Sequence, residues 1–251
     1  MPLARQVIAP GGKLCYDEKN DREGRMHYPY LLFDADDTLF DFGKADRHAF
    51  SALCAAVGLT ESEELLRRFR AHNDACWAMF DRGEATKDFI VAERFRRLFG
   101  ELGIGADPVA ANETYLAALA TCAFPTPHSV EVCRTLAQTH RLFLITNAVA
   151  SVQRGRLARA EVRPYFEAAF VSEEAGAQKP TPAYFAYVFA HIDGITRENC
   201  LLIGDSLSSD IRGANNYGLP CCWYNPRRSP RPDDLRVDYE ITDLRELYGI
   251  V

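Results

Sequence analysis

Apolar residues along this 251-residue chain fall into two alternating patterns. Short runs of apolar, β-branched or aromatic residues stand at 30–33, 141–146 ("RLFLIT"), 168–172 ("AAFVS"), 200–204 ("CLLIG") and 220–225 ("PCCWYN"). Runs this short, without polar alternation, predict strands buried on both faces. Between them, apolar positions at helical spacing predict helices over 128–139, 150–160, 182–192 and 208–217, the last ended by Gly218. Strands alternating with helices form βαβ units, so the predicted fold class is α/β, a Rossmann-like parallel sheet with helices on both faces.

The stretch from Phe42 to Phe124 breaks this alternation. Ala49, Phe50, Leu53, Cys54 and Val57 keep helical spacing and Gly58 ends it, while Thr60 and Glu63 form a capping-box pattern that opens the next helix. Further helices fit 87–99 and 109–121, and no strand pattern intervenes. The two prolines of "FPTP" (124–127) forbid a continuing helix and mark the return. The expected organisation is an α/β core domain over 28–43 and 125–251 interrupted by a helical domain over 44–124. Residues 1–27 are rich in glycine and charge and lack the apolar core of a secretory signal; they are expected to form a poorly ordered extension.

Composition narrows the function classes. A hydrophobic fraction of 47% with 25% charged residues is that of a soluble globular protein. A formal net charge of −6 argues against binding a nucleic acid polymer, and the basic run "RRFR" (67–70) sits in a mixed-charge helix as a solvated face. No apolar run reaches the roughly 18 residues that cross a bilayer, so no membrane partner is expected. The eight cysteines (15, 54, 76, 122, 133, 200, 221 and 222) show no CxxC pair; reduced, buried thiols in a cytoplasmic monomer or homodimer are the expectation. Cys221 and Cys222 read as alternating positions of one strand.

Charge placement raises the chemical question. "LLFDADDTLF" (31–40) ends a buried strand in three carboxylates, Asp34, Asp36 and Asp37. Two such charges about 4 Å apart repel by ~4 kcal/mol at the effective dielectric of a protein surface. In open α/β sheets ligands bind beyond the carboxyl ends of the strands. Asp34 and Asp36 end the first strand, Thr146 and Asn147 the second, and Asp205 and Ser206 follow "CLLIG". Asp210 opens the next helix, and Lys179 in "GAQKP" supplies a cation. Four carboxylates with one lysine stay strongly negative unless a divalent cation joins them, and hard oxygen ligands beside room for a phosphate suit Mg²⁺. Solvated acids capping strand ends would explain one such pair, but not acids, hydroxyl and lysine on one rim.

"DADDT" (34–38), "TN" (146–147), "KP" (179–180) and "GDSLSSD" (204–210) resemble, in order, the four motifs of the haloacid dehalogenase superfamily. The resemblance covers about residues 28–250, with the inserted helices where that superfamily carries its first cap domain. It implies a phosphatase in which Asp34 is the nucleophile and Asp36 the general acid and base, its pKa raised by neighbouring negative charge. It implies that Thr146 and backbone N–H groups near Asn147 bind the phosphate and that Lys179 steadies both Asp34 and the transferring phosphoryl group. Mg²⁺ would be held by Asp34, the Asp36 carbonyl and Asp205, with Asp210 behind them. Members that dehalogenate carry a non-acidic residue where Asp36 stands, so the acid favours ester hydrolysis. Asp37 is given a structural turn contact.

Within the inserted helices, "HNDACWAMFDRGEATKDFIVAERF" (72–95) resembles the pyrimidine 5′-nucleotidase subgroup at Asn73, Trp77, Gly83, Thr86, Arg94 and Phe95. That resemblance implies a nucleoside monophosphate as the small phosphorylated partner; the residue types are compatible, since Trp77 could stack on a base and Arg94 could hydrogen-bond a base carbonyl or the sugar. The same residues fit plain helix packing. A phosphoglycolate or sugar-phosphate phosphatase, a 2-haloacid dehalogenase and a signalling domain that stores phosphate on Asp34 are the competing readings.

Overall fold

The computed structural model describes residues 28–251, so the expected N-terminal extension and Cys15 lie outside the described residues. Among the described residues six strands form one sheet: β1 (Tyr30–Asp34), β2 (Arg141–Thr146), β3 (Ala168–Val171), β4 (Cys200–Gly204), β5 (Cys221–Tyr224) and β6 (Tyr239–Ile241). Their order is β3-β2-β1-β4-β5-β6, and every pairing is parallel. β1 is central, and the connection reverses direction on either side of it.

Both faces of β1, β2, β4 and β5 are buried, which accounts for their apolar runs. Leu31 and Phe33 of β1 pack on one face with Leu201, Ile203, Cys222 and Tyr224. Leu32 packs on the other face with Leu202, Cys221 and Trp223. Cys221 and Cys222 therefore do occupy alternating strand positions, and all seven described cysteines are free and buried.

Five helices follow the insertion: α5 (Ser129–Leu136), α6 (Ala150–Leu157), α7 (Ser172–Ala175), α8 (Pro182–Ala190) and α9 (Arg212–Tyr217). α5 and α6 cover the first face, α8 and α9 the second. Three end two or three residues before their expected limits, because the last turn tightens, as where Thr139 N–H reaches Leu136 at 3.1 Å. The helix expected over 208–217 starts instead as a π-helical turn, Leu207–Ile211. Asp210 N–H and Ile211 N–H both donate to the Ser206 carbonyl, which turns the Asp210 side chain back under the sheet rim. The strand expected at 168–172 ends at Val171, and Ser172 opens α7. β6 escaped the sequence reading because its three residues include the charged Glu240.

The segment between β1 and α5 holds four helices: α1 (Phe42–Val57), α2 (Glu63–Asp81), α3 (Lys87–Leu102) and α4 (Pro108–Leu119). They pack around a core of their own, where Phe69 stacks on Phe50 and Phe95 at 5.1 and 5.3 Å. Gly58 ends α1 at φ +70°, as expected. The capping box does not form: Ser62 caps α2 through a bond from Leu65 N–H, and Glu63 is drawn away by Arg47 at 2.7 Å. No helix of the described residues is long and apolar enough to cross a membrane.

Candidate active site

The ends of β1, β2 and β4 open into a cavity of about 360 Å³ between the sheet rim and the inserted helices. Asp34, Asp36, Thr146, Asn147, Lys179, Asp205 and Asp210 line it from the sheet side, and Asn73, Trp77 and Arg94 from the helices. The candidate catalytic, phosphate-binding and metal-binding residues thus share one cavity with Trp77 and Arg94, whereas Gly83, Thr86 and Phe95 do not line it.

Lys179 is its electrostatic centre. The side chain is 1% exposed, and Nζ donates to Asp34 Oδ1 at 2.5 Å, to Asp210 Oδ1 at 2.6 Å and to the Ile145 carbonyl at 3.2 Å. Burial disfavours the ammonium, but the Asp210 and Asp34 carboxylates outweigh it and raise its pKa. The Asn147 side chain holds this lysine: its Nδ2 donates to the Lys179 carbonyl and its Oδ1 accepts from Lys179 N–H, both at 2.9 Å. Asn147 therefore offers the cavity its backbone while its amide braces the lysine. Thr146 N–H is held by the Tyr184 hydroxyl at 3.1 Å, and its Oγ1 accepts from Ala148 N–H.

Asp210 is wholly buried, its second oxygen accepting from Ser206 N–H at 3.0 Å. Gly204 makes this possible, because a Cβ there would collide with the Asp210 carboxylate. Asp37 adopts φ +58° and accepts from Phe42 N–H at 3.1 Å, the turn contact expected of it.

Asp36 departs from expectation. Negative neighbours are not its nearest company: its Oδ1 is ion-paired with Arg156 of α6. Nothing in the sequence singled out Arg156, which sits among ordinary charged positions of "SVQRGRLAR" (151–159).

The helical side is less open. Arg94 is 3% exposed, and its Nε, NH1 and NH2 donate to Val91 O, Asn73 Oδ1 and Asn112 Oδ1. Its guanidinium lies 4.6 Å from the Tyr115 ring and 4.8 Å from that of Phe95. Trp77 is half-buried and packs edge-on against Phe80. Two further side chains join the helices to the sheet domain: Lys87 donates to Ala148 O and Ser172 Oγ, and Asp81 accepts from Ser208 Oγ.

Oxygens of Asp34, Asp205 and Asp210 lie within 4.8 Å of one another. Burial first, then the Asp210 charge, pushes the Asp34 carboxyl up to about 7 against the pull of Lys179. Burial, then Asp34 and Asp210, likewise raise Asp205. Carboxylates outnumber cations along this cavity, where Asp34, Asp36, Asp205 and Asp210 have only Lys179 and Arg156 beside them and Asp37, Asp74 and Asp81 add to the negative side against Arg94. The oxygen-only donors and this deficit fit Mg²⁺.

A parallel sheet that gathers an aspartate pair, a threonine, a lysine and a second acidic cluster on one rim, beneath inserted helices, defines a hydrolase of the haloacid dehalogenase type. The chain belongs to the haloacid dehalogenase-like hydrolase family, whose sequence model matches residues 28–218. It is 35% identical to the HAD-hydrolase YfnB of Bacillus subtilis over 89% of this chain and 95% of that protein. The magnesium-bound crystal structure of YfnB, described as revealing interdomain movement, matches with a TM-score of 0.86 over 89% of this chain and 98% of that one. The pyrimidine 5′-nucleotidase PynA of Streptococcus pneumoniae is 31% identical over 88% of this chain and 94% of that protein. YjjG of Escherichia coli, also a pyrimidine 5′-nucleotidase, is 28% identical over 88% and 97%.

Proposed function

We propose that this chain is a Mg²⁺-dependent phosphatase that hydrolyses pyrimidine nucleoside monophosphates through a phosphoryl-aspartate on Asp34. The observation that carries the reading is the pairing of a buried, lysine-held Asp34 with a second acid, Asp36, two residues on and facing the same cavity. Asp34 attacks phosphorus, and the ester oxygen leaves with a proton from Asp36. Asp36 then takes a proton from the water that opens the phosphoryl-aspartate, a role worth ~10²- to 10⁴-fold. Lys179 keeps Asp34 aimed, and Thr146 with the backbone beyond it receives the phosphate oxygens. Asp34, Asp205 and the Asp36 main-chain carbonyl would hold Mg²⁺, with Asp210 fixed by Lys179 and Ser206 behind them. Bound there, the ion would neutralise phosphate charge.

The helices over the rim act as the cap. The names of PynA and YjjG support a pyrimidine nucleotide, and the cavity wall offers Trp77 as a stacking surface beside the Asn73–Arg94 pair. The free, buried thiols of the seven described cysteines support a cytoplasmic setting. The test is phosphate release with Mg²⁺ across nucleoside and sugar monophosphates. Higher kcat/KM for dUMP and dTMP than for phosphoglycolate and glucose phosphates is expected; equal or better activity on the latter would leave only a general phosphatase.

A further inference from the structure

Arg156 is 1% exposed, and its guanidinium lies 5.0 Å from the Phe40 ring. Nε donates to the Cys122 carbonyl at 2.9 Å; NH1 donates to Asp36 Oδ1 and, at 3.4 Å, to Gln153 Oε1. Among the described residues, Arg156 NH2 and Gln153 Nε2 are buried without a hydrogen-bond partner. Burying a guanidinium this way destabilises a fold more than an apolar side chain of its size would, so packing alone does not account for it. Arg156 is the one hydrogen-bond partner of the Asp36 carboxylate among the described residues.

The two main partners of Arg156 belong to opposite strands of one crossing. Asp36 lies where the chain leaves β1 for the helices, and Cys122 where it returns. The outgoing and returning segments are stitched by Asp41 N–H to Phe124 O at 2.8 Å, Thr126 N–H to Leu39 O at 2.9 Å and Thr126 Oγ1 to Thr38 O at 2.7 Å. Gly155, beside Arg156, presses on the same return, since a Cβ there would lie 2.8 Å from the Ala120 carbonyl.

We propose that Arg156 is the positioning residue of the proton-transferring acid: it fixes the Asp36 carboxylate and ties it, through Cys122, to the chain that carries the cap. The inference rests on the reading of Asp36 as acid and base in ester hydrolysis. Arg156 itself moves no proton. The P–O bond breaks as Asp36 delivers its proton to the ester oxygen, and Arg156 decides where that proton waits. A half-exposed carboxylate without this anchor swings among rotamers, and misplacement by about 1 Å can lower a rate ~10²-fold.

The test uses the full chain with Mg²⁺ and the variants Arg156→Met and Arg156→Lys, alone and combined with Asp36→Asn. For dTMP, Arg156→Met is expected to lower kcat about 100-fold with KM within about 3-fold, and Arg156→Lys to recover to within about 10-fold of wild type. p-Nitrophenolate leaves without a proton, so in the Asp36→Asn background the burst from p-nitrophenyl phosphate is expected to run at one rate with either residue at 156. A burst slowed by the 156 substitution in that background, or a raised KM at unchanged kcat, overturns the proposal, because Arg156 would then support the whole site rather than Asp36. If Arg156→Met does not fold, Arg156→Lys carries both comparisons. A wild-type chain that releases phosphate from neither ester overturns the phosphatase reading itself, a result separable from any difference between variants.

Discussion

The two walls of the cavity hold their charged residues in different ways. On the sheet wall three polar side chains are aimed by main-chain groups at a strand end, Lys179 by Ile145 O, Asp210 by Ser206 N–H and Thr146 by Ala148 N–H, and two of the carboxylates, Asp34 and Asp36, are held by the buried cations Lys179 and Arg156. On the helical wall Arg94 is enclosed by rings and by two asparagines, much as a core residue would be. Phosphoryl transfer acts on a fixed group and needs fixed partners, so it occupies positions the backbone itself defines. The helical wall offers helix faces instead, where the same side chains also hold the helices together.

The sharpest way to break this contrast is at the nucleophile. Asp34→Asn should fold as wild type yet lose at least about 10³-fold in kcat on p-nitrophenyl phosphate, and wild-type-like turnover would remove Asp34 from that role. Lys179→Met should combine both kinds of loss. It leaves Asp34 and Asp210 buried together without a cation, and breaking a buried pair costs about 3–5 kcal/mol, read as a lower midpoint in thermal or urea unfolding. A stable, active variant would show that the lysine is dispensable.

On the helical wall stability and selectivity should fall together. Arg94→Ala removes a buried guanidinium from between Asn73 and Asn112, so about 1–3 kcal/mol of stability should go with a narrowed preference for dTMP over sugar phosphates. Unchanged selectivity in a destabilised protein would assign Arg94 to packing alone. Trp77→Ala should act more gently, raising KM for nucleotides roughly 3- to 10-fold while sparing p-nitrophenyl phosphate.

The smallest effect concerns metal and protons. Asp34 and Asp205 both have raised pKa values, so the folded chain without metal holds protons that the unfolded chain has released. That contribution to stability is present at low pH and declines as pH rises from the ordinary carboxylate range toward about 7. Mg²⁺ competes with those protons and should raise the melting temperature more at pH 8 than at pH 6. A shift independent of pH would place the ion elsewhere, and activity that survives full EDTA chelation would remove it from the reaction.

Sequence made the sheet wall legible because strand ends are chemically marked. Apolar runs locate β1, β2 and β4, and the polar residues after them must share a rim, so Asp34, Thr146 and Asp205 could be placed together before any contact was known. Arg156 and Lys87 could not be found this way. Each is one charged residue on a helix rich in them, and its partner sits on a distant segment: Cys122 for one, Ser172 for the other. The π-helical turn that redirects Asp210 was equally hidden, since its residues also suit an ordinary helix. The Thr60 cap failed because Ser62, two residues on, competes for the same helix start, and Arg47 is near enough to claim Glu63.

The central position of β1 has a consequence for how the molecule is made. Among the described strands β1 leaves the ribosome first, yet Leu31 finds its neighbours only in Leu142 and Leu201. The contacts of α1 with α4 and of α2 with α3 fall within residues 42–119 and can form while β1 still waits. Pairing delayed over so long a loop is slow, and it leaves an unpaired apolar edge exposed during synthesis at ~5–20 residues per second. "YLLF" (30–33) therefore waits longest for its partners, and the rim assembles only after Asp205 has been added to the chain.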